Sequence, residues 1–403
     1  MNFLPQASGT RPRVACEIMP QGIIAARSAD AAAPISAVAR IPLSDGAIVP
    51  GLKPGNIVDR VAVAAAIRRA LEQIGERTGT RGGSSITLVI PDAAVRVILL
   101  DFEALPTRLT EALPLVRFRL KKLLPFDSDD AMVTFQAMST SKSVVRVLAV
   151  AIPRDVLSEY ETAVREAGFE PGAVLPSTLA SLAAVDDTST ELLVNANPLG
   201  VTAAIVRSGV LLLHRSVDLQ QHGDHTAVSA TPMASAAPDP SLNPLPLVDP
   251  DETAGEWAAQ EPLPEHGRNP YADRIADEAA TQSFDGLTGL PEPRTYATDP
   301  DTIEVPFGAA FPASEPFSAE IAQAVSVAAA YFEDTLAIAP TQVISAGPLG
   351  AEKLGHILSA SGVGEGDGLR VRELVETSAL LPDAVTSAAP RQWLSGVMGA
   401  LRG

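Results

Sequence analysis

Cysteine is nearly absent. Cys16 is the sole one in 403 residues, which excludes a disulfide framework and a cysteine-built zinc centre. Aromatics make up 4%, so the core must be assembled from Ala, Val, Leu and Ile. Positive charge is scarce: 30 Lys and Arg face 48 Asp and Glu, a net −18. Nothing here could neutralise a run of phosphates, which argues against nucleic acid. Long apolar runs are missing too; none approaches the ~18–20 residues that span a bilayer. Residues 1–15 lack a basic stretch followed by an apolar one, so no secretory signal is expected. What is present is 46% hydrophobic residues, enough for a real core, and a length that predicts two or three lobes. The expectation is a soluble cytoplasmic protein.

The acidity is concentrated. Between 220 and 318 stand 17 Asp and Glu, 3 Arg, no Lys and 15 of the 34 prolines. Low hydrophobicity with high net charge leaves too little burial to offset chain entropy, and runs such as Pro238-Asp239-Pro240 cannot continue a helix or fill a central strand. We read 220–318 as a mostly disordered insertion between two folded blocks, with one short helical piece over 271–282.

The first block opens strand-turn-strand over 13–27: Val14, Cys16 and Ile18 alternate, Pro20-Gln21-Gly22 turns, and Ile23-Ile24-Ala25 returns. A helix follows over 58–75, with Val58, Val61, Ala65, Ile67 or Arg68, and Leu71 on one face and Gly75 near its stop. Strands are expected over 85–90, buried on both faces, and over 95–102. Leu113, Val116, Leu120 and Leu124 make one stripe of a helix over 109–124. Arg117, Arg119, Lys121 and Lys122 form a basic run near its end, either a solvated face suited to a helix C-terminus or a docking edge for an acidic partner or anionic lipid. Paired strands over 132–136 and 143–152 lead to a helix over 153–167, ended by Gly168. A second strand-turn-strand occupies 191–215. Beyond the insertion come a helix over 319–336, with Ile321, Val325, Ala328 or Ala329 and Phe332 on one face, a strand over 343–345, and helices over 351–360 and 391–401. Two hairpins of one pattern suggest a duplicated α/β architecture.

The stretch from Leu100-Asp101-Phe102 to Leu124-Pro125-Phe126 resembles the PilM family of type IV pilus assembly proteins. So do 150–155 with 167–171, the loop Ile344-Ser345-Ala346-Gly347, and Val397-Met398-Gly399-Ala400-Leu401-Arg402. The match keeps family order across the chain outside 220–318. It implies an actin-like (ribonuclease H-like) α/β fold of two lobes around a nucleotide cleft, with an inserted α+β subdomain and the long acidic insertion. The implied divisions are a first lobe over 12–103, the subdomain over 104–175, the start of the second lobe over 176–219, its remainder over 319–390, and a C-terminal helix over 391–403 packing on the first lobe. The resemblance also implies a partner, the cytoplasmic N-terminal tail of a PilN-like inner-membrane protein. It would lie in a groove between the first lobe and the subdomain, near Arg117, Phe118, Lys121 and Phe126.

In that family two hairpin turns grip the nucleotide: glycines admit phosphate oxygens to backbone N–H groups, and an Asp in each turn helps hold hydrated Mg²⁺. The first turn, about G-I-D-I-G, is matched here by Ala15-Cys16-Glu17-Ile18-Met19. Glu17 keeps the charge at longer reach, and Met19 puts bulk where glycine is wanted. The second, about D-I-G-A, is matched by Asn195-Ala196-Asn197-Pro198. Asn195 lacks the charge and Pro198 lacks a donor. Glu17, Asn195, Gly200, Thr202 and the Gly347 loop are the candidate cofactor contacts of a degenerate cleft. The expectation is an adaptor without a cofactor or ATP hydrolysis, peripheral to the inner membrane through its partners. The alternatives are an active actin-superfamily ATPase or switch using ATP and Mg²⁺, and a GspL-like type II secretion component, a family that continues into a transmembrane helix.

Other candidates are read blandly. His222, Asp224 and His225 make a chance cluster rather than a metal site. His214 follows a strand and His356 sits on a surface-like helix, so no Ser-His-Asp set is suggested. Cys16 is an inert core thiol. The stripe Trp393, Leu394, Val397, Met398 and Leu401 packs back onto the first lobe rather than anchoring to a membrane surface. Asn2-Phe3-Leu4-Pro5 echoes the partner-tail motif and is read as a chance match, with a self-docking tail as the alternative.

Overall fold

The computed structural model describes residues 12–76, 85–140, 144–185, 190–219, 315–363, 369–386 and 389–402. The tail motif at 2–5, the His222 cluster, the 271–282 helix and all of the acidic insertion up to residue 314 lie outside them.

Fourteen strands and seven helices are formed by the described residues. The first lobe starts with β1 (Val14–Met19), β2 (Gly22–Ser28) and β3 (Ile35–Pro42), then α1 (Arg60–Gln73) and β4 (Ser85–Ile90). β5 (Arg96–Phe102), α2 (Leu109–Leu120), β6 (Ala131–Thr140) and β7 (Val145–Pro153) follow, and α3 (Arg154–Glu166), β8 (Glu170–Pro176) and α4 (Ser177–Leu182) lead to the second lobe. That lobe holds β9 (Thr190–Asn197), β10 (Gly200–Arg207), β11 (Val210–Asp218), α5 (Glu315–Leu336), β12 (Gln342–Ala346), α6 (Ala351–Ala360) and β13 (Arg370–Glu373). β14 (Leu380–Thr386) and α7 (Ser395–Arg402) close the described chain.

The sheet orders show the duplication. One sheet runs β14-β3-β2-β1-β4-β8, the other β11-β10-β9-β12-β13, and a third β5-β7-β6. In both large sheets three antiparallel strands are followed by two parallel ones: β1 pairs antiparallel with β2 and parallel with β4, and β9 does the same with β10 and β12. α1 and α3 cover one face of the first sheet, and α5 covers one face of the second. α4 and α7 lie between the two sheets, in one core that takes Ala15 and Val89 from the first, Leu193 and Ile344 from the second, and Leu148 from the third.

Several expectations shift. On α1 the buried face is Val63, Ala66, Ile67, Ala70 and Leu71, whereas Val58 and Val61 are 64% and 82% exposed. The Asp59 side chain accepts from the Ala62 N–H, so the helix starts after Val58, and its small alanines, not the first valines, meet β2 and β3. We predict that Ile67→Ala lowers unfolding free energy by about 2–5 kcal/mol, while Val61→Ser changes it by less than about 0.5 kcal/mol, as read from denaturant midpoints. α2 stops at Leu120, not 124; Leu124 precedes Pro125, which disfavours helical backbone. β6 runs to Thr140, beyond the expected 136. α5 begins at Glu315, inside the span read as insertion, with Pro316 in its first turn, where a missing N–H costs nothing. β8, within the 104–175 span, is a strand of the six-stranded sheet, and β5, before that span, belongs to the three-stranded one.

Candidate functional site

Strand periodicity places the site. Along β1, Ala15, Glu17 and Met19 share the face turned toward α4 and α7, while Cys16 and Ile18 enter the opposite core. Asn195 holds the matching place in β9, two residues after Leu193. Glu17 and Asn195, at equivalent positions of equivalent strands, therefore converge on one point between the lobes.

They meet at α4. The Ser177 hydroxyl donates to Glu17 Oε1 at 2.7 Å. Asn195 Nδ2 donates to Ser177 Oγ at 3.2 Å and to Thr178 Oγ1 at 3.0 Å. Asp92, in the turn after β4, accepts from the Thr178 N–H at 3.0 Å, from Thr178 Oγ1 at 2.5 Å and from Asn195 Nδ2 at 3.4 Å. Gly347 has φ +82°, and a side chain there would run into Asn195 Oδ1 and the Ala196 carbonyl; only glycine lets this loop lie so close. The Gly347 N–H reaches Ser395 Oγ at 3.4 Å. Gly396 lies flush against the Glu17 carboxylate, where a Cβ would overlap it. Trp393 completes the wall, with the Arg40 guanidinium over its ring at 4.1 Å. The space enclosed by these residues is about 20 Å³, and an adjoining one near Gly200, Thr202 and Ser216 is about 30 Å³. Each has room for about one water, since about 10–15 Å³ of such volume suffices to hold one.

The electrostatics follow from burial. Glu17 is 3% exposed. Desolvation pushes its carboxyl up to about 7, the Ser177 bond opposes this, and the negative Asp92 adds to it. Burial likewise raises Asp92, against the Thr178 hydrogen bonds. Cys16 is buried, and burial raises its thiol. His214 lies inside β11 rather than after a strand, and burial pushes it down to about 4.

The remaining candidates are dispersed. Thr202 Oγ1 pairs with Ser216 Oγ at 2.9 Å, and the Gly200 N–H is taken by Asn197 Oδ1 at 3.1 Å. Of the partner candidates, Arg117 turns inward, donating to the carbonyls of Ser128 and Ala131. Phe126 packs under α2 against the core containing Leu100 and Val116. Phe118 points outward at 69% exposure, and Lys121 pairs loosely with Asp129 at 3.8 Å. These four do not form one surface. Trp393, Leu394, Val397, Met398 and Leu401 are all buried in the core between the sheets. Sequence reasoning missed Asp92, Ser177, Thr178 and Ser395. The signal for three of them was present: Pro91-Asp92 follows β4 and Ser177-Thr178 follows β8 directly, and the carboxyl ends of parallel strands are where α/β sheets gather functional groups.

No protein-family model and no curated protein matches the chain. Among solved structures, a chain of the PilM-PilN type IV pilus biogenesis complex is similar over 97% of this chain and 98% of its own, at 14% identity and a TM-score of 0.61. The cytoplasmic domain of EpsL, an inner-membrane component of the Vibrio cholerae type II secretion system, aligns over 53% of this chain and 78% of its own, at 13% identity and a TM-score of 0.34. The ethanolamine utilization protein EutJ of Carboxydothermus hydrogenoformans aligns over 100% and 95%, at 11% identity and a TM-score of 0.40. The repeated sheet order and the full-length likeness establish the actin-like fold. No helix of the described residues is long and apolar enough to cross a membrane.

Proposed function

We propose that this chain is an actin-like adaptor of the inner-membrane platform of a type IV pilus or related secretion system. It acts by binding rather than by catalysis, on the cytoplasmic side. Its partner is the N-terminal tail of a PilN-like membrane protein. The platform assignment is supported by the ordered sequence resemblance and by a fold shared end to end with a chain of the PilM-PilN complex.

One observation supports the non-catalytic reading: most polar groups of the cleft are bonded to one another, although the buried Glu17 Oε2 has no hydrogen-bond partner among the described residues. Glu17 takes the Ser177 hydroxyl, Asn195 supports Ser177 and Thr178, Gly347 meets Ser395, and about 20 Å³ remains. Ligand sites run to several hundred Å³, and the small space between these residues supports a reading in which the cleft holds no nucleotide. The network instead works as a joint between the two lobes and the C-terminal segment.

The test titrates a labelled peptide of the PilN-like tail from the same organism against the protein, with and without millimolar Mg²⁺-ATP. Saturable binding, unaltered by nucleotide and without phosphate release, is expected. Absence of saturable binding, or turnover of ATP, would overturn the reading.

A further inference from the structure

Lysine is scarce: five occur in 403 residues, and two of them adjoin at 121–122. From Ala112 to Phe126 stand four cations, Arg117, Arg119, Lys121 and Lys122, and no carboxylate, in a chain whose net charge is −18. The helix that carries them, α2, lies on one face of the β5-β7-β6 sheet through Val116 and Leu120. The opposite face of that sheet enters the core between the two large sheets through Leu148, with Val97, Leu99 and Val150 packed beside it. α2 is therefore an outermost layer, and its free side is turned away from the interlobe core.

That free side has an apolar crest. Leu115, Phe118 and Lys122 follow one another at spacings of three and four and so share a face. Phe118 is 69% exposed, Leu115 44% and Leu123 55%. The chain keeps its winding past the helix end: the Leu123 and Leu124 N–H groups both reach the Leu120 carbonyl, at 2.8 and 2.9 Å, which holds Lys121, Lys122 and Leu123 beside the crest. Two of the four cations are committed elsewhere, Arg117 to the carbonyls of Ser128 and Ala131, Arg119 to the Asp101 carbonyl and the Phe102 ring. The two lysines are not. Lys121 meets Asp129 only at 3.8 Å, with both side chains exposed, a pair worth little in water. Lys122 has no ion pair among the described residues. Glu111, the carboxylate of the helix itself, is paired with Arg108 at 3.5 Å.

We propose that this face of α2 docks on an anionic lipid surface, with Leu115, Phe118 and Leu123 at the boundary of headgroups and acyl chains and the ammonium groups of Lys121 and Lys122 on the phosphates beside them. Exposed aromatic and aliphatic side chains flanked by lysines are what an interfacial helix presents, and lysine stems bury while their heads stay in the polar layer. A bilayer surface meets both chemistries at once, whereas an acidic polypeptide would match the lysines and leave the crest in water. Each basic side chain near such a surface multiplies affinity by about five. The rest of this acidic molecule is repelled by it, so the contact sets orientation as well as position. This rests on the adaptor reading above for the membrane concerned, and adds a second, weak attachment beside the tail.

The experiment is co-sedimentation of the full chain with vesicles of phosphatidylcholine, alone or with about one third phosphatidylglycerol. Binding to the anionic vesicles only is expected, and its loss at about 1 M salt, where the screening length is about 3 Å. Lys121→Glu/Lys122→Glu should bind at least about tenfold more weakly and Phe118→Ser at least about fivefold, with unchanged melting temperatures, because all three positions are exposed. Should either variant fail to fold, Phe118→Trp takes its place: beyond the wild-type signal, its fluorescence should shift to the blue with anionic vesicles and be quenched by brominated acyl chains. Equal binding to neutral vesicles, undiminished binding by the variants, or no quenching of Phe118→Trp would overturn the lipid surface. Binding of polyglutamate without binding of vesicles would assign the face to an acidic polypeptide, and dimers lost in Phe118→Ser would assign it to a second copy; either overturns the proposal. Tail binding in the titration above, with no vesicle binding, overturns the lipid surface and leaves the adaptor reading standing. Vesicle binding without tail binding does the reverse.

Discussion

Gly399→Ala should strip the protein of about 3 kcal/mol or more of stability, beyond the usual 1–3 kcal/mol of overpacking. Gly399 lies where α7 crosses α4, and both helices sit in the core between the two sheets. A Cβ at this position would fall deep inside the Ala180 carbonyl, with Ser181 Cα 3.2 Å away. Both obstacles are backbone, so no rotamer change relieves them. The helices must separate, and because their core takes side chains from all three sheets, the loss spreads through the molecule. At about 2–4 °C per kcal/mol, the melting temperature should fall by roughly 6–12 °C. Gly51→Ala, with nothing within 4 Å and no left-handed backbone, is the control and should shift stability by less than about 0.5 kcal/mol. Equal melting of the two variants would show that α7 does not pack on α4 as described.

The second large effect depends on pH. Glu17 is held at about 7 in the folded protein against an ordinary 4.5. Below 4.5 the carboxyl is protonated whether the chain is folded or not, and it has no effect. Between 4.5 and 7 the folded chain keeps a proton that the unfolded chain has released, so stability falls as pH rises. Above 7 the full penalty is in place, on the order of 3 kcal/mol at 1.36 kcal/mol per pKa unit. Glu17→Gln keeps an acceptor for the Ser177 hydroxyl and carries no charge. It should match the wild type at pH 4 and exceed it by about 2–3 kcal/mol at pH 8, measured by denaturant titration at both values. An equal difference at the two pH values would mean that Glu17 is not buried between the lobes.

Local pattern made much of this legible. The hairpins at Pro20-Gln21 and Pro198-Leu199, the apolar β4 and the stripe of α5 all announce themselves within a few residues. Ile321, Val325, Ala328 and Phe332 of that stripe are buried. What the pattern hides is long-range. β14 pairs Leu380 with Ile35, and no local signal links them. β8 reads Glu-Pro-Gly-Ala-Val-Leu-Pro and looks like a turn, yet an edge strand tolerates prolines that a central one would not. α1 misled because alanine scores weakly as apolar, although Ala66 and Ala70 set its buried face. In the cleft, Glu17 and Asn195 were found from their turns. Asp92, Ser177 and Thr178 were not, because the contacts that bring them to the cleft, Ser177 to Glu17 and Thr178 to Asp92, span 160 and 86 residues of sequence.

The placement of α7 and β14 has a bearing on how the chain is made. The first sheet begins at residue 14 but gains its β14 edge only at residues 380–386, and its inner face is covered by a helix over 395–402. While the polypeptide emerges from the ribosome, Ala15, Met19 and Val89 must wait beside α4 until nearly the whole of the second lobe has been synthesised. The first lobe therefore cannot finish as an independent unit ahead of the second. Contacts of such sequence separation form slowly and leave apolar surface uncovered meanwhile. Translation stalled before residue 395 would yield two formed sheets with an open seam, a species for chaperones.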